Sequence, residues 1–554
     1  MKISVSLPRS LPRRTRTILG GAAALCGMVA LVAIVASALV AGPVNGRQAE
    51  SAVPASTAIG SPASSSASTP LAAIPSAAAS SAPTLAPVVP VANFWAAHRD
   101  IALVDVARLW AGIASAPSET GYDSVAVSPA VASPLAAAFG LVPGGYVRIV
   151  TAAEVRTAVR TSSTTLGLLA PEEVAPEVRA LTVDGTALFG PDRVKDISLW
   201  PLQAPVTTPT TFSLDSEMTI DAGGDVNLDR RVYLKSVPGG QGVDFPWSAG
   251  RAHITYYEGG GFEGRQTVQA ADDGPAGYFA QKLGSTDLTL VNLEGSVPND
   301  WITRDFSLIF TFDPDMLKGM KDAGIDAVTL PNNHIRNGGD QGVIDTINNL
   351  DGAGIAHTGA GANLTAARQP AWLMANGKKV AVLGYCAVGW GNTATDTEPG
   401  GAPMDMDAVV SDIHAARAAG ADIVIVMPHW GSEYSYSVFS SQRAEAAQMV
   451  AAGADLILGS HSHWVGGIQS FDGPNGPAFV DYSMGDFLFD LTHDASAEQG
   501  VLVTLTFSGT RLVQVSLDPT IMIYGAQVGL LDPAGDGQGV LNAIRDASRG
   551  WSNW

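Results

Sequence analysis

The stretch ADLILGSHSHW at residues 454–464 places two histidines directly after a short apolar strand. Earlier stretches have the same design, in which an apolar strand ends in small or polar residues. They are MTIDAGGDVNLDRR (218–231) with Asp225, LTLVNLEGS (288–296) with Asn292 and Glu294, IDAVTLPNNHIRNGG (325–339) with Asn332, Asn333 and His334, and ADIVIVMPHWGSEY (421–434) with His429. Open α/β sheets carry their sites at the carboxyl ends of strands. The series therefore predicts an α/β domain with its site at these strand ends.

The residue types at these strand ends indicate a metal site. Divalent cations take carboxylate oxygen, amide oxygen and neutral imidazole as ligands, and the series supplies all three. Two cations ~3.5–4 Å apart need a bridging carboxylate, and Glu294 in the middle of the series is suited to that place. His461 and His463 in a tight Ser-His-Ser-His turn are suited to reach two neighbouring ions. A structural role is the ordinary alternative for any single histidine, but it explains the whole set poorly.

The composition of the chain limits the classes of partner. Of 554 residues, 46% are apolar and 15% charged, which predicts a chain that is mostly folded and of several-domain length. The 32 basic and 52 acidic residues give a net charge of −20. Because nucleic-acid binding depends on attraction to phosphates, this balance argues against a nucleic-acid partner. The only two cysteines, Cys26 and Cys386, allow neither a disulfide framework nor a cysteine-based zinc site.

The amino-terminal residues read as a membrane anchor and a linker. Residues 1–17 form a basic segment, and residues 18–42 are uncharged and apolar, long enough as a helix to cross a ~30 Å hydrocarbon core. The basic residues precede the apolar stretch, which predicts a cytoplasmic amino terminus and a body outside the cell membrane. A cleavable signal peptide is the alternative. Residues 43–92, rich in Ala, Ser and Pro, read as a linker that cannot form a core.

Folded-domain signals return after this linker. Residues 93–214 combine helical and strand patterns and predict a small α/β module. Short stretches such as DVARLWAG weakly resemble part of a solute-binding domain, and an uncharacterised spacer is the alternative. Residues 215–520 hold the site-bearing domain, and residues 521–554 are interpreted as a carboxyl-terminal extension.

A longer series of motifs includes these strand ends. The motifs are GDVNLDR (224–230), NLEG (292–295), the run from NNHIRNGG to AARQP (332–370), HWGSEY (429–434), Gln442, AGADLILGSHSH (452–463) and YSMGDFLFD (482–490). The series resembles the CapA family of poly-γ-glutamate capsule biosynthesis proteins, spans roughly residues 217–515 and keeps the order of the family's motifs. The resemblance implies a calcineurin-like metallophosphatase fold, in which a β-sandwich is flanked by helices.

The resemblance also implies a role for each site residue. One divalent ion would be held by Asp225, Glu294 and His463. A second would be held by Glu294, Asn333, His429 and His461. Each ion would be Mn, Fe, Zn or Mg. His334 stands where a phosphoesterase places the histidine that assists departure of the leaving group.

The chain departs from the expected pattern at three positions. Asn227 replaces the histidine of a phosphoesterase Asp-x-His motif, and the family commonly lacks that histidine too. Asn337 replaces an acid that would orient His334 or bind behind the metal ligands. Asp486 stands where the family usually has asparagine.

Three functions are compatible with these features. The first is a membrane-anchored, extracytoplasmic CapA-like protein that makes, exports or tethers an anionic cell-surface polymer, with the polymer or its synthase complex as partner. The second is a general metal-dependent phosphoesterase. The third is a scaffold with a decayed site, which Asn227 and Asn337 would favour.

Overall fold

The structure is a computed structural model, and it describes residues 84–551 except 114, 207–209, 259–264, 271–277, 306 and 390. The basic segment, the predicted membrane helix at 18–42 and most of the predicted linker lie outside these residues. Among the helices that the structure describes, none has both the length and the apolar character needed to cross a bilayer. The described residues belong to one compact unit.

The first part of this unit is an α/β module. Its elements are β1 (Thr84–Pro87), β2 (Val89–Asn93), β3 (Asp100–Ile101), α1 (Leu103–Trp110), α2 (Ala116–Thr120), β4 (Ser124–Val127), α3 (Pro129–Phe139), β5 (Val147–Ile149), α4 (Ala152–Thr161), β6 (Thr165–Leu169), β7 (Val178–Ala180), β8 (Thr182–Val183) and β9 (Gln203–Val206). A five-stranded sheet of order β5-β4-β6-β2-β7 forms the centre of the module, β1 pairs antiparallel with β9, and β3 pairs parallel with β8.

Local sequence explains how the module closes its core. Thr151 and Glu154 form a capping box that starts α4, and the apolar face of this helix buries Val155 and Val159. Gly167 in β6 lies where a Cβ atom would stand 2.4 Å from a methyl group of Val91 and 2.8 Å from one of Val159. A larger residue at 167 would therefore push the helix off the sheet.

The start of the module differs from the prediction. The predicted linker extends to residue 92, whereas β1 and β2 already occupy 84–93. Val89 and Val91 are fully buried between neighbouring strands. The Ala, Pro and Val composition of this segment looks like linker because its strand character depends on burial against β6 and β7, which lie far along the chain.

The larger part of the unit carries the strands that precede the candidate ligands. Its elements are β10 (Glu217–Val226), α5 (Arg230–Ser236), β11 (Arg251–Glu258), β12 (Arg265–Ala270), α6 (Tyr278–Leu283), β13 (Leu288–Leu293), α7 (Met316–Asp322), β14 (Ala327–Thr329), α8 (Gly339–Ala353), β15 (Ala356–Thr358), β16 (Ala360–Gly361), α9 (Leu364–Ala367), β17 (Ala371–Ala375), β18 (Lys378–Cys386), β19 (Gly400–Gly401), α10 (Met406–Ala418), β20 (Ile423–His429), α11 (Ser440–Ala452), β21 (Leu456–Leu458), β22 (Ile468–Gly473), β23 (Gly476–Asp481), β24 (Asp486–Leu488), β25 (Gln499–Ser508), β26 (Arg511–Ile523), β27 (Gln527–Leu531) and α12 (Gln538–Ala547).

Two sheets build this domain. The ten-stranded sheet has the order β12-β11-β27-β26-β25-β10-β13-β14-β15, with β24 also paired to β10, and the six-stranded sheet has the order β17-β18-β20-β21-β23-β22. Ile220 and Leu290 from the first sheet share one buried apolar cluster with Ile425 and Leu456 from the second. Removal of this apolar surface from water, at roughly 25 cal/mol per Å², holds the sheets together. The predicted mixed α/β class is confirmed.

The predicted boundary at residue 520 falls inside an element. β26 continues to Ile523, and β27 extends the same sheet in antiparallel register, with Thr520 opposite Leu530. Val540 and Ile544 of α12 are buried in the core that the two sheets share. The segment predicted as an extension, as far as residue 551, is therefore part of the domain, because its apolar residues complete a core formed by strands elsewhere in the chain.

A buried carboxylate at the end of β23 makes stability depend on pH. Asp481 is fully buried, its Oδ1 accepts a hydrogen bond from the Ser483 amide at 3.0 Å, and its Oδ2 has no partner among the described residues. Burial raises the pKa of Asp481 to about 8. In the folded chain the group stays neutral up to that pH, whereas in the unfolded chain it ionises from about pH 4. Its stabilising contribution is therefore present in acid and is lost as pH rises through about 8.

We expect Asp481→Asn to remove this part of the pH dependence. The free energy of unfolding is measured by urea titration between about pH 5 and about pH 8. In the parent, Asp481 should make it fall with rising pH by at most ~1.4 kcal/mol per pH unit. In the variant this part of the slope should be absent. Asp472→Asn, which alters an exposed carboxylate on the neighbouring strand β22, is the control and should keep the parent profile. Equal slopes in Asp481→Asn and the parent would contradict the prediction.

Candidate metal centre

Oxygen donors reach the candidate site from the ten-stranded sheet. Asp225 lies near the carboxyl end of β10, Glu294 directly follows β13, and Asn333 follows β14. The three strands run parallel, so their carboxyl ends meet at one edge. Asp225 and Glu294 have no exposed surface, whereas Asn333 is half-buried.

Imidazoles reach the site from the six-stranded sheet. His429 ends β20, and His461 and His463 follow β21, the parallel neighbour of β20. All three rings are buried. The candidate ligands predicted from the sequence therefore come together, with oxygen donors from one sheet facing nitrogen donors from the other.

The first group of donors consists of Asp225, Glu294 and His463, whose candidate ligand atoms lie within 4.8 Å of one another. Asp225 Oδ2 is 3.9 Å from His463 Nδ1 and accepts a hydrogen bond from the backbone amide of His461 at 3.0 Å. Asp225 Oδ1 accepts another from the Asn292 side chain at 2.6 Å. These bonds fix the carboxylate of Asp225 against both sheets.

The second group consists of Glu294, His429 and His461, again within 4.8 Å, together with Asn333. His429 Nε2 is 3.1 Å from His461 Nδ1, 2.8 Å from Asn333 Oδ1 and 3.7 Å from Glu294 Oε1. Nitrogen and oxygen atoms thus converge from separate strand ends. Glu294 belongs to both groups, as expected of a bridging carboxylate.

Glu294 provides the test of whether a cation fits this place. Both of its carboxylate oxygens are buried, and neither has a hydrogen-bond partner among the described residues. A buried carboxylate without hydrogen bonds is strongly destabilising unless it is neutralised. Together with two imidazoles and an amide oxygen, this donor set fits a divalent cation, although it does not identify the element.

The electrostatics of the site follow from burial. Burial raises the pKa of Glu294 well above its usual range, and the carboxylate of Asp225 raises it further. Burial lowers the pKa of His461 to about 3 and that of His429 well below its usual range, which keeps both rings in the neutral form that binds metals. Burial also disfavours the charged form of His463, but Asp486 and Glu294 outweigh it and raise the pKa of His463 to about 10. Metal binding would therefore compete with protons at this site.

The turn that carries His461 and His463 is conformationally demanding. Both residues have positive φ angles, 95° and 58°, in the region that favours glycine. Their rings are 6.3 Å apart, and each belongs to a different donor group. Ser462 between them anchors the turn through its hydroxyl, which lies 2.5 Å from Trp464 O and 2.8 Å from Ser483 Oγ. The strained backbone thus lets residues two apart serve two neighbouring positions.

His334 borders the second group. Its Nε2 is 3.8 Å from Glu294 Oε1, and its Nδ1 is 3.0 Å from Asn337 Oδ1. Asn337 Oδ1 also accepts a hydrogen bond from the Phe310 amide at 2.7 Å, which identifies that atom as the oxygen. Nδ1 is therefore the ring nitrogen that carries the proton, and Nε2 presents a lone pair to the site. Asn337 still orients His334, but it adds no negative charge, and burial lowers the pKa of His334 to about 4.

Asp486 contributes more than the sequence pattern indicates. It begins β24 beside Asp225, and its Oδ1 lies 2.8 Å from His463 Nδ1. Such a carboxylate fixes the ring and its tautomer and leaves Nε2 of His463 as the candidate ligand. The sequence marks Asp486 only as a departure from the family motif, and its pairing with β10 was the missing information.

Two other neighbours were not singled out by sequence. Arg230 is buried, has a φ of 51°, and forms an ion pair with Asp490. Its guanidinium lies 5.0 Å from the ring centre of Phe310, and that ring lies 4.1 Å from the ring of His334 at a tilt of 36°. Tyr434, with a φ of 54°, lies 5.5 Å from His463 between ring centres. Both residues end motifs of the series, GDVNLDR and HWGSEY, but those motifs gave neither residue a role.

The side-chain oxygen of Asn227, just after β10, is used in a local hydrogen bond. Its Oδ1 accepts a hydrogen bond from the Asp229 amide at 2.9 Å, and its buried Nδ2 has no partner among the described residues. The first group thus has no imidazole from this strand.

Comparisons with known proteins agree with the motif series. Residues 219–491 match the model of the family described as Bacterial capsule synthesis protein PGA_cap. The Capsule biosynthesis protein CapA of Bacillus anthracis is 28% identical over 52% of this chain and 64% of its own length. The PGA biosynthesis protein CapA of Bacillus subtilis strain 168 is 31% identical over 40% of this chain and 59% of its own length. The chain thus spans less than two thirds of the length of these relatives.

Among solved structures, a 5'-nucleotidase precursor from Thermus thermophilus aligns with 14% identity and a TM-score of 0.32. The alignment covers 60% of this chain and 58% of that protein.

Variants should separate the two donor groups by metal content. Glu294→Gln keeps the size of the side chain but removes the shared ligand, so the purified variant should retain the least metal by mass spectrometry. His461→Ala removes a donor from the second group alone and should retain an intermediate amount. His414→Ala, on the exposed face of α10, is the control and should match the parent. Parent-like metal content in Glu294→Gln would refute the site.

Asp486→Ala should weaken metal binding without removing a donor from either group. Loss of the partner of His463 Nδ1 frees the ring to rotate, for which we expect a ~10–100-fold lower affinity in competition with a chromophoric chelator. Asp481→Asn, at a buried carboxylate that contacts no candidate ligand, should leave the affinity unchanged. Equal affinities for all three proteins would show that Asp486 does not position His463.

Proposed function

Because the chain belongs, through residues 219–491, to the family described as Bacterial capsule synthesis protein PGA_cap, we propose that it takes part in making, exporting or tethering an anionic cell-surface polymer. Poly-γ-glutamate is the polymer that the relatives' names suggest. The observation that carries the metal-dependent part of the proposal is the buried Glu294 carboxylate, which is shared by two donor groups and has no hydrogen-bond partner among the described residues.

The negative charge of the chain explains why binding of an anionic polymer would depend on metal ions. A chain with a net charge of −20 repels polymer carboxylates or phosphates. Divalent cations at such a site neutralise anionic groups, polarise a carbonyl or phosphoryl oxygen and lower the pKa of water. In this arrangement Asp225 and Glu294 would hold the cations. Asn292 orients Asp225, and Asp486 orients His463. His334 offers the lone pair of Nε2 to a proton or a ligand.

A metal-dependent phosphoesterase is the second candidate. It is supported by the two donor groups that share one carboxylate, an arrangement typical of two-metal hydrolases, and we propose the calcineurin-like metallophosphatase fold for the domain. The neutral state of His334 argues against it as a proton donor to a leaving group near neutral pH. A phosphoesterase built on this site would therefore favour substrates whose leaving group needs no proton.

We also propose that residues 18–42 retain the chain at the cell membrane with the domains outside. The support is the apolar sequence and the basic residues before it. Amino-terminal sequencing of the mature protein tests this, since a terminus near Val40 to Asn45 would mean that the segment is removed.

The polymer role is tested in the organism that carries the gene. We expect a strain with Glu294→Gln at the native locus to lose cell-surface polymer to the level of a deletion strain, at unchanged protein abundance on an immunoblot. Surface polymer is measured as anionic material released from washed cells and as glutamate after acid hydrolysis. His414→Ala is the control and should keep the parent amount. Unchanged polymer in the deletion strain would overturn the polymer role, and an unchanged amount in Glu294→Gln alone would overturn its dependence on the metal site.

An assay of the purified protein distinguishes the two candidates. Metal-loaded parent and Glu294→Gln proteins are incubated with an activated phosphodiester and, separately, with poly-γ-glutamate. Phosphodiester turnover that is lost in Glu294→Gln would favour the phosphoesterase, whereas metal-dependent binding or cleavage of the polymer alone would favour the polymer role.

A further inference from the structure

The ten-stranded sheet has a polar face that is covered by the amino-terminal module. Along β25 and β26, Thr504 lies opposite Ser516, and Thr506 lies opposite Gln514. The residues that alternate with them are apolar and buried in the core that the two sheets share: Val503, Leu505, Val515 and Leu517. One face of these strands is therefore core, and the other presents hydroxyl and amide groups to a cavity.

This cavity has a volume of about 450 Å³. Arg99, Arg179 and Thr182 of the module line it on the side opposite the sheet. A smaller adjoining cavity of about 150 Å³ shares Arg99 and Arg179 and adds Arg545 from α12. Pockets of several hundred Å³ with converging polar groups are typical of small-ligand sites.

The charge of the lining is opposite to that of the protein. The net charge of the chain is −20. The acidic residues that line the two cavities are Asp192, Asp518 and Asp532, and all three belong to the larger one. The basic residues are Arg99, Arg179, Arg251, Lys282 and Arg545. Cations therefore exceed anions here, within a body where carboxylates dominate.

Arg179 carries the strongest indication of a missing anion. Its side chain is 6% exposed, and its Nε and Nη2 both donate to one carbonyl, Phe94 O, at 3.0 and 2.7 Å. No carboxylate of the described residues lies within 4.0 Å of this guanidinium, whereas Arg230 and Arg417 each have one. Burial and the neighbouring Arg99 cation lower the pKa of Arg179 to about 9, and the more distant Asp518 carboxylate offsets them only in part. A buried cation without a carboxylate in contact is destabilising and becomes favourable when an anion joins it.

Asp518 gives the cavity an internal competitor for that anion. Its carboxylate lies 3.4 Å from Arg99 Nη1 and 3.5 Å from Lys282 Nζ. An incoming oxyanion would share or replace these contacts. The guanidinium fork binds carboxylate and phosphate oxygens in the same manner, so both anions satisfy this chemistry.

We propose that these adjoining cavities form a binding site for a small oxyanion, a carboxylate or a phosphate, with Arg179 and Arg99 as its cationic ligands. The site is separate from the candidate metal centre. Its Thr504 and Thr506 lie opposite Asp221 and Thr219 of β10, whereas Asp225 lies further along that strand toward its carboxyl end. The proposal does not rest on the polymer role.

The test is a calorimetric titration of the full chain in detergent after removal of metals with a chelator, because phosphate also binds metal ions. The two probes are inorganic phosphate and L-glutamate, which distinguish the possible sources of the oxyanion. We expect saturable binding of at least one probe. Arg99→Ala should weaken it by about tenfold, and Asp518→Asn, which removes the internal competitor, should strengthen it.

Matched controls locate the binding. Arg549→Ala, at an exposed arginine that lines neither cavity, and His461→Ala, in the candidate metal centre, should both bind as the parent does. Arg179→Met should abolish binding while melting at a parent-like temperature, and if it does not fold, Arg99→Ala and Asp518→Asn decide the question. The proposal is overturned if neither probe binds at about 10 mM, or if binding is unchanged in both Arg99→Ala and Asp518→Asn.

Discussion

The candidate metal centre depends on one carboxylate that is buried from water and accepts no hydrogen bond from the described residues. Glu294 lies at the end of a buried strand, and both of its oxygens lack partners among the described residues. Such a group must be protonated or neutralised by a positive charge. Two neutral imidazoles, one imidazole with a raised pKa and an amide oxygen surround it. Their arrangement is explained if they and Glu294 bind the same cations.

The two sheets divide this chemistry between them. Carboxylates and amides come from the ten-stranded sheet, and imidazoles come from the six-stranded sheet. The apolar core between the sheets therefore does more than stabilise the fold, because any sliding of one sheet over the other would separate oxygen from nitrogen donors. Asp225 joins the two sides directly by accepting the His461 amide. The positive φ angles at His461 and His463 are a local strain that this packing holds in place.

The sequence predicted the parts that depend on local pattern. Apolar runs that end in Asp225, Glu294, Asn333 and His429 indicated both the mixed α/β class and the residues that the structure gathers at one edge. It could not predict features that depend on distant pairing. The partnership of Asp486 with His463 requires β24 to lie beside β10, and the strands before residue 93 require burial by β6 and β7. The basic cavity could not be predicted from the sequence for the same reason, because its arginines lie far apart in the chain and only folding brings them together.

The antiparallel pairing of β1 with β9 brings the two ends of the module together. Thr84 lies directly opposite Val206, so the module returns the chain to the point where its first strand starts. β10, which carries Asp225, begins soon afterwards at Glu217. As long as this strand pair is kept, the chain between the two strands can change in length without moving residue 84 away from residue 206.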